Sequence, residues 1–189
     1  MGKLLVFNSI SLDGYFVDLN GDMGFANNST PDAEWEAFVN GNASGSGGTL
    51  VFGRITYDLM ASFWPTPIAA QSNPVVAERI NAARKVVFSR TMEKAAWVNT
   101  RLMKDDLPGE IRRMKKEDSQ RMVIFGSGSI VAQLTEQALI DEYQFIVIPI
   151  VLGKGRSLFA GIKAKLPLKL NQTRSFANGN VWLSYELIS

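Results

Sequence analysis

Apolar residues run along this chain in two alternating styles. Short unbroken stretches of Val, Ile, Leu and Phe are separated by longer stretches in which apolar residues recur every three or four positions. The first style suits strands buried on both faces, the second helices with one covered side. Lys3 to Ile10 is predicted as a first buried strand, followed by a turn at Asp13-Gly14 and a loop turning at Asn20-Gly21. Pro31 to Val39 is predicted as a helix, with Thr30 as N-cap and Pro31 at the first helical position. Gly41 to Gly48 is rich in Gly and Ser and precedes a strand. Phosphate-cradling loops follow strands, so this stretch is expected to be a flexible connection.

Thr49 to Phe52 is the next strand, leading through Gly53 into a helix near Thr56 to Phe63. Ser72 or Asn73 is expected to cap a helix from Pro74 to Arg84. Strands are predicted at Lys85 to Ser89, Trp97 to Asn99 and Arg121 to Phe125, with an amphipathic helix from Leu107 to Glu117 interrupted early by Pro108-Gly109. Gly126-Ser127-Gly128-Ser129 opens a helix ending near Ala138, and Glu142 to Ile150 is a strand too continuously apolar to face solvent. Leu166 to Ile188 reads as two long strands around an Asn178-Gly179 turn. Strands alternating with helices imply an α/β sandwich: a mixed, mostly parallel central sheet covered on both faces, with an antiparallel hairpin at the end. The 189 residues suit one domain, 1–189.

Composition narrows the chemistry. The chain has no cysteine, which removes disulfides, thiol nucleophiles and thiolate metal sites. It also has no histidine, which removes the usual catalytic triads and imidazole-held zinc. No metal site is therefore expected. An enzyme built from these residues must use carboxylates, Lys, Tyr, hydroxyls, backbone groups or an organic cofactor, and hydride transfer fits that restriction. The formal net charge is only +2. The basic cluster Arg112-Arg113 and Lys115-Lys116 is flanked by Glu110, Glu117 and Asp118, so it is expected to be a solvated helix face, not a nucleic-acid surface. The longest apolar run, Phe145 to Leu152, is strand-sized, so no membrane partner is expected and the location is read as cytoplasmic.

Three strands end in residues suited to phosphate and nucleotide contacts. In Gly53-Arg54-Ile55-Thr56-Tyr57 a glycine lets the backbone approach a ligand, Arg54 adds a fork of donors and Thr56 a hydroxyl in the first helical turn. Ser89-Arg90-Thr91 closes the second. Gly126-Ser127-Gly128-Ser129-Ile130 closes the third, a small-residue turn into a helix suited to a pyrophosphate. It is not the dinucleotide fingerprint, because Val131 stands where a third small residue belongs. Ligands of open α/β sheets sit at the carboxyl ends of strands, where all three motifs lie.

Gly53-Arg54-Ile55-Thr56-Tyr57 resembles the Gly-Arg-x-Thr-aromatic signature of dihydrofolate reductases. Ser11-Leu12-Asp13-Gly14, Ser89-Arg90-Thr91, and the stretch from Leu139-Ile140-Asp141-Glu142 to Pro149-Ile150-Val151-Leu152-Gly153-Lys154-Gly155 resemble the reductase domain of bacterial riboflavin biosynthesis. The resemblance spans nearly the whole chain and is strongest to stand-alone proteins of that reductase half. It implies a dihydrofolate-reductase-like three-layer sandwich and an NADPH-dependent reductase acting on a small pterin-like or ribosylamino-pyrimidine-like substrate. An alternative is an NADP(H)-binding module of the same fold without turnover, and a homodimer is expected in either case. By motif position, Arg54 and Thr56 would contact cofactor phosphates, and Ser89 and Arg90 would lie near the adenosine 2′-phosphate. Gly126 to Ile130 would cover the pyrophosphate and nicotinamide ribose. Asn8 and Ser9 would sit near nicotinamide and substrate, with Asp13 and Trp35 also on the substrate side and Asn20 to Phe25 as the closing loop. Asp32 matches the acidic residue that holds a pteridine, although Glu34 competes for that place and a role complementing the helix dipole is open. Lys154 and Arg156 are further phosphate candidates on the loop Gly153 to Arg156. The zinc deaminase half of the bifunctional riboflavin enzyme has no counterpart, since its His-x-Glu and Cys-x-x-Cys residues are absent.

Overall fold

Strand β1 (Leu4–Ser11) is central, and the computed structural model, which describes residues 1–27, 30–44 and 48–188, builds the sheet outward from it. A short β2 (Tyr15–Val17) and a 3-10 turn (Gly24–Asn27) precede α1 (Ala33–Ser44). Then come β3 (Thr49–Gly53), α2 (Arg54–Phe63), α3 (Pro67–Ser72), α4 (Pro74–Ala82), β4 (Arg84–Phe88) and β5 (Thr100–Met103). They are followed by α5 (Leu107–Glu117), β6 (Met122–Ile124), α6 (Gly128–Glu136), β7 (Glu142–Ile148), β8 (Arg156–Ser157), β9 (Leu168–Ser175) and β10 (Val181–Leu187). The main sheet has the order β5-β4-β3-β6-β1-β7-β10-β9. All neighbours from β5 to β7 are parallel, whereas β10 is antiparallel to both β7 and β9. β2 and β8 pair separately as a two-stranded ribbon. The expected mixed, mostly parallel sheet with a C-terminal antiparallel hairpin is what the chain forms.

Alternation along each strand divides the apolar residues between the two faces. Val6, Val51, Ile124 and Tyr143 pack with Ile111 of α5 and Leu134 of α6. Leu50, Phe52 and Val87 pack on the other side with Tyr57 of α2 and Val76 and Ile80 of α4. Fully burying side chains of this size contributes about 1.5–3 kcal/mol each, so the two covered faces hold the sheet between its helices. Farther along that second face, α1 covers β10 through Phe38 and Trp182, whose ring centres are 5.3 Å apart.

Two buried lysines act as structural cations. Lys85 is 1% exposed, and its Nζ donates to the carbonyls of Asn81 and Ala83 at 2.8 Å and of Val98 at 3.2 Å. It thereby caps the carbonyl end of α4, 4.6 Å from the Trp97 ring centre. Burial pushes its pKa down to about 8. Lys115 donates to Asp141 at 2.6 Å and to the Leu139 carbonyl, while Asp141 also accepts the Leu4 N–H. The basic cluster of α5 is therefore solvated only in part: Arg113 pairs outward with Glu110 and Glu117, but Lys115 points into the core.

Several predicted boundaries shift for local reasons. α1 begins at Ala33 and not Pro31, because Asp32, not Thr30, accepts the N–H groups of Glu34 and Trp35 at 2.9 and 3.1 Å. It also runs on to Ser44, into the stretch expected to be a connection; residues 45–47 lie outside the described residues. The strand expected at Trp97 to Asn99 forms three residues later, because the Trp97 N–H is taken by the Tyr57 hydroxyl and Asn99 has φ +59°. α4 ends at Ala82, since Arg84 already belongs to β4, and the Asn73 side chain does not cap it. Pro108-Gly109 does not interrupt α5: the proline occupies its first turn, where its missing N–H is harmless, and Asp106 caps the helix through Gly109 N at 3.1 Å.

Candidate functional site

The three strand-end motifs converge. At the carboxyl end of the sheet a cleft of about 400 Å³ is lined by Gly53 and Arg54 from the first motif, Ser89 and Arg90 from the second, and Ser127, Ser129 and Ile130 from the third. The turn between β5 and α5 closes it with Lys104, Asp105 and Asp106, which no motif had singled out. Arg54 is exposed and only loosely paired with Asp58, at 4.0 Å. Lys104 and Arg90 are exposed as well. One of the facing carboxylates, Asp106, is committed to capping α5. The cleft therefore presents more cationic than anionic reach to a ligand.

Its backbone reinforces that sign. α2 and α6 both begin at this cleft, and neither N-cap residue, Gly53 or Ser127, supplies a side-chain hydrogen bond. The first turn of a helix leaves N–H groups without internal partners, and uncapped they offer donors and a positive dipole end to an anion. Gly53 is required because a Cβ there would run into the Ser127 side chain. Ser89 is used locally: its Oγ accepts the Met92 N–H at 3.0 Å and shapes the turn that presents Arg90.

Beside the cleft the sheet forks. β6 pairs with β1 only across Leu4 to Val6 and then turns away at Phe125 and Gly126, while β1 continues to Ser11. Gly126 takes φ +65°, and the Gly126–Ser127 peptide is cis. A Cβ on Gly126 would lie 3.1 Å from Thr56 Oγ1 and 3.4 Å from Asn8 Nδ2. Thr56, Gly126 and Asn8 are thus brought together at the fork. Asn8 is 4% exposed, and its Oδ1 is buried without a hydrogen-bond partner among the described residues. Gly128 has a packing role instead, since a Cβ there would press on the Phe16 ring at 3.1 Å and the Ser157 carbonyl at 3.4 Å.

The substrate-side residues are more scattered. Ser9 lies on the opposite face of β1 from Asn8, in a row with Ile146 and Trp182. Trp35 belongs to a ring cluster with Phe38 and Phe176 at centre distances of 5.8 and 5.1 Å. Asp13 joins loops: it accepts from Ser11 Oγ at 2.6 Å and from the N–H groups of Leu152 and Gly153 at 3.1 and 2.7 Å. The Ser11 hydroxyl, with those N–H groups, holds its carboxyl below the usual range. Asp32 spends one oxygen on the α1 cap and the other on the Asn178 N–H of the hairpin at 3.1 Å. These N–H donors, Trp35 first, hold it below the usual range, so the structure makes Asp32 a fixed anion tying α1 to the hairpin. Its competitor Glu34 is paired with Arg174. Arg156 opens β8, away from the cleft lining.

A larger cavity, about 610 Å³, lies at the opposite, amino ends of β3 to β6. Its rim charges neutralise one another as Arg84 with Asp118 and Arg113 with Glu117. It lacks the helix N-termini that define the carboxyl-end cleft. Among the described residues no group of three or more His, Cys, Asp or Glu could hold a metal ion, and no helix is long and apolar enough to cross a membrane.

A central sheet of this order, with a C-terminal antiparallel hairpin and its cleft at the fork beside β1, defines an α/β protein of the dihydrofolate-reductase-like class. The fold is similar to that of Enterococcus faecalis dihydrofolate reductase complexed with NADP(H), with a TM-score of 0.66 and 15% identity over 100% of this chain and 98% of that one. It is also similar to a candidate riboflavin biosynthesis protein of Shewanella sp. PV-4, with a TM-score of 0.78 and 23% identity over 99% of each chain. Within that class, the chain belongs to the RibD C-terminal domain family, whose profile matches residues 2–182. The uncharacterized protein YyaP of Bacillus subtilis (strain 168) is 26% identical over 187 residues, covering 97% of this chain and 94% of that protein.

Proposed function

We propose that this protein is an NADPH-dependent reductase that passes a hydride to a small pterin-like or ribosylamino-pyrimidine-like ring. One observation carries the reading: three separate strand-end motifs meet in a single cleft, where two uncapped helix N-termini stand among Arg54, Arg90 and Lys104. A ligand with several phosphates answers all of these groups at once. In this reading Arg54 and the first turn of α2 hold the pyrophosphate together with Ser127 and Ser129, and Ser89 and Arg90 hold a 2′-phosphate. Thr56 and Gly126 meet at the fork, beside which the sugar and ring would lie, and the unpaired Asn8 Oδ1 accepts from a carboxamide N–H. The cofactor supplies the hydride when bound. The chain's own residues bind, orient and shield the ring pair. Asp32 is a positioning residue in this reading, since a carboxyl held ionised by backbone donors does not serve as a proton donor, and the proton comes from solvent.

The commitment of both Asp32 oxygens to backbone groups also favours a second reading, an NADP(H)-binding module without turnover. Mixing the protein with NADPH and a panel of pterins, folates and pyrimidines separates the two. Oxidation of NADPH by any member supports the reductase; saturable binding with no oxidation across the panel supports the module. The reading further takes the protein as a cytoplasmic homodimer, and light scattering at tens of micromolar would return a monomer mass if that part is wrong.

A further inference from the structure

The cavity of about 610 Å³ at the amino ends of β3 to β6 takes no part in the reductase reading, and its size is that of a small-molecule site. Strand alternation explains why it is there. Val86 stands between Val51 of β3 and Arg101 of β5 in one row, with Phe88 and Met103 two residues further on. All of these side chains share the face on which Val51 packs against Ile111 of α5. α5 covers that face over Val51, Met122 and Ile124, through Ile111 and Met114, but stops short of the edge strand β5. Val86 and Met103 are 6% and 8% exposed, yet they join neither of the two apolar cores. They border the cavity with Met114 and Met122, so its floor is valine and methionine. Thioether side chains are polarizable and adaptable, and they suit an apolar body without demanding one shape.

The rim leaves one charge over. Arg84 donates to Asp118 at 2.6 Å, and Arg113 donates to Glu110 and Glu117, each at 2.6 Å. Glu117 and Asp118 are the carboxylates that line the cavity, so both are already met by an arginine. Lys85 spends its ammonium on three carbonyls. Arg101 lines the same cavity and is exposed, and it has no hydrogen bond or ion pair among the described residues. A single uncompensated guanidinium beside an apolar floor answers one negative charge on an apolar body. A polyphosphate would set further negative charge against Glu117 and Asp118, which separates this cavity from the carboxyl-end cleft.

We infer that this cavity binds a small amphipathic monocarboxylate, its apolar body on Val86, Met103, Met114 and Met122 and its carboxylate on the Arg101 guanidinium. The planar fork of an arginine takes a carboxylate through two parallel N–H donors, which a neutral group of the same shape cannot match. Neither the cofactor nor the hydride acceptor enters this assignment, so it stands or falls apart from the reductase reading.

The test labels the methionine methyl groups with carbon-13 and follows them by NMR as the full chain is titrated with 2-naphthoate and, separately, with its uncharged isostere 2-naphthamide. Met103, Met114 and Met122 border the cavity, whereas Met60 and Met92 pack on the other side of the sheet, Met92 beside Ser89 of the carboxyl-end cleft. Met103→Leu, Met114→Leu and Met122→Leu assign the three signals. Naphthoate is expected to shift those three along one saturating curve, with a Kd of about 1 mM or below, and to leave Met60 and Met92 in place. Naphthamide is expected to bind at least about fivefold more weakly. Arg101→Gln is expected to narrow that preference to within about twofold, and Arg101→Glu to reverse it in favour of naphthamide. No saturable shift at the three methionines, shifts centred on Met60 or Met92, equal binding of the two probes, or a preference intact in Arg101→Gln would overturn the inference.

Discussion

The two ends of the working face are built differently. The carboxyl-end cleft is open, cationic and made of contiguous motifs: each strand delivers its glycine or serine, the next residue delivers an arginine or a helix N-terminus, and the parts fit without long-range adjustment. The α1–hairpin end is closed and aromatic, and it is assembled from residues far apart in the chain, as in the bond from Asn178 to Asp32 or the pair of Arg174 with Glu34. Even their unmet atoms differ. At the fork the orphan is an acceptor on Asn8, and on the hairpin the orphans are donors. One end offers its donors on open, preformed backbone, whereas the other keeps them under packed rings.

The largest effect that sharpens this contrast is on the scaffold that serves both ends. Lys85→Met removes the ammonium that the Asn81, Ala83 and Val98 carbonyls share and is expected to lower stability by about 3 kcal/mol, or roughly 6–12 °C in melting temperature, with NADPH affinity unchanged. Its pH behaviour follows from a folded pKa of about 8, below the ordinary 10.5. Between those values the unfolded chain holds the extra proton, so native stability rises with pH across that window, and the slope disappears in Lys85→Met. Urea titrations at pH 8 and pH 10 check both. Next, Gly126→Val forces a side chain onto a positive φ and against Thr56 and Asn8, and is expected to weaken NADPH binding by at least about 30-fold, on the order of 2 kcal/mol. Loss of binding confined to the pterin probes would instead move the fork to the substrate end.

Arg90→Ala is expected to weaken NADPH about tenfold while leaving NADH within about twofold, because only the former carries a charge for that guanidinium. The smallest effect belongs to Asp32→Asn. Asparagine can still cap α1 through its one oxygen, but its amide NH2 then faces the Asn178 N–H, so stability is expected to fall by about 1 kcal/mol while turnover changes by less than about threefold. A fall of about 100-fold or more would return Asp32 to a proton-transfer role.

The same contrast explains what could be read from the residues alone. Gly53-Arg54 and Gly126-Ser127 were legible because a glycine at a strand end followed by a helix start has local consequences. The mostly parallel character of the sheet, though not its strand order, followed from the alternation of strand-like and helical apolar runs. Lys104 was missed because nothing in its own neighbourhood marks it; it reaches the cleft only because β5 lies beside β4. The role of Asp32 was half visible, since a carboxylate before a helix suggests a cap, but its second bond depends on a hairpin turn well over a hundred residues away. Asn178-Gly179 was recognisable as a turn, yet the unmet donors beside it emerge only once β10 packs under α1.

The central claim is that the carboxyl-end cleft is built for NADPH. Titration of the purified protein with NADPH and, separately, NADH, followed by calorimetry, tests it most directly. Saturable NADPH binding at micromolar concentration, weaker NADH binding and a further loss in Arg54→Ala are expected. No saturable binding of either nucleotide at high micromolar concentration would contradict it.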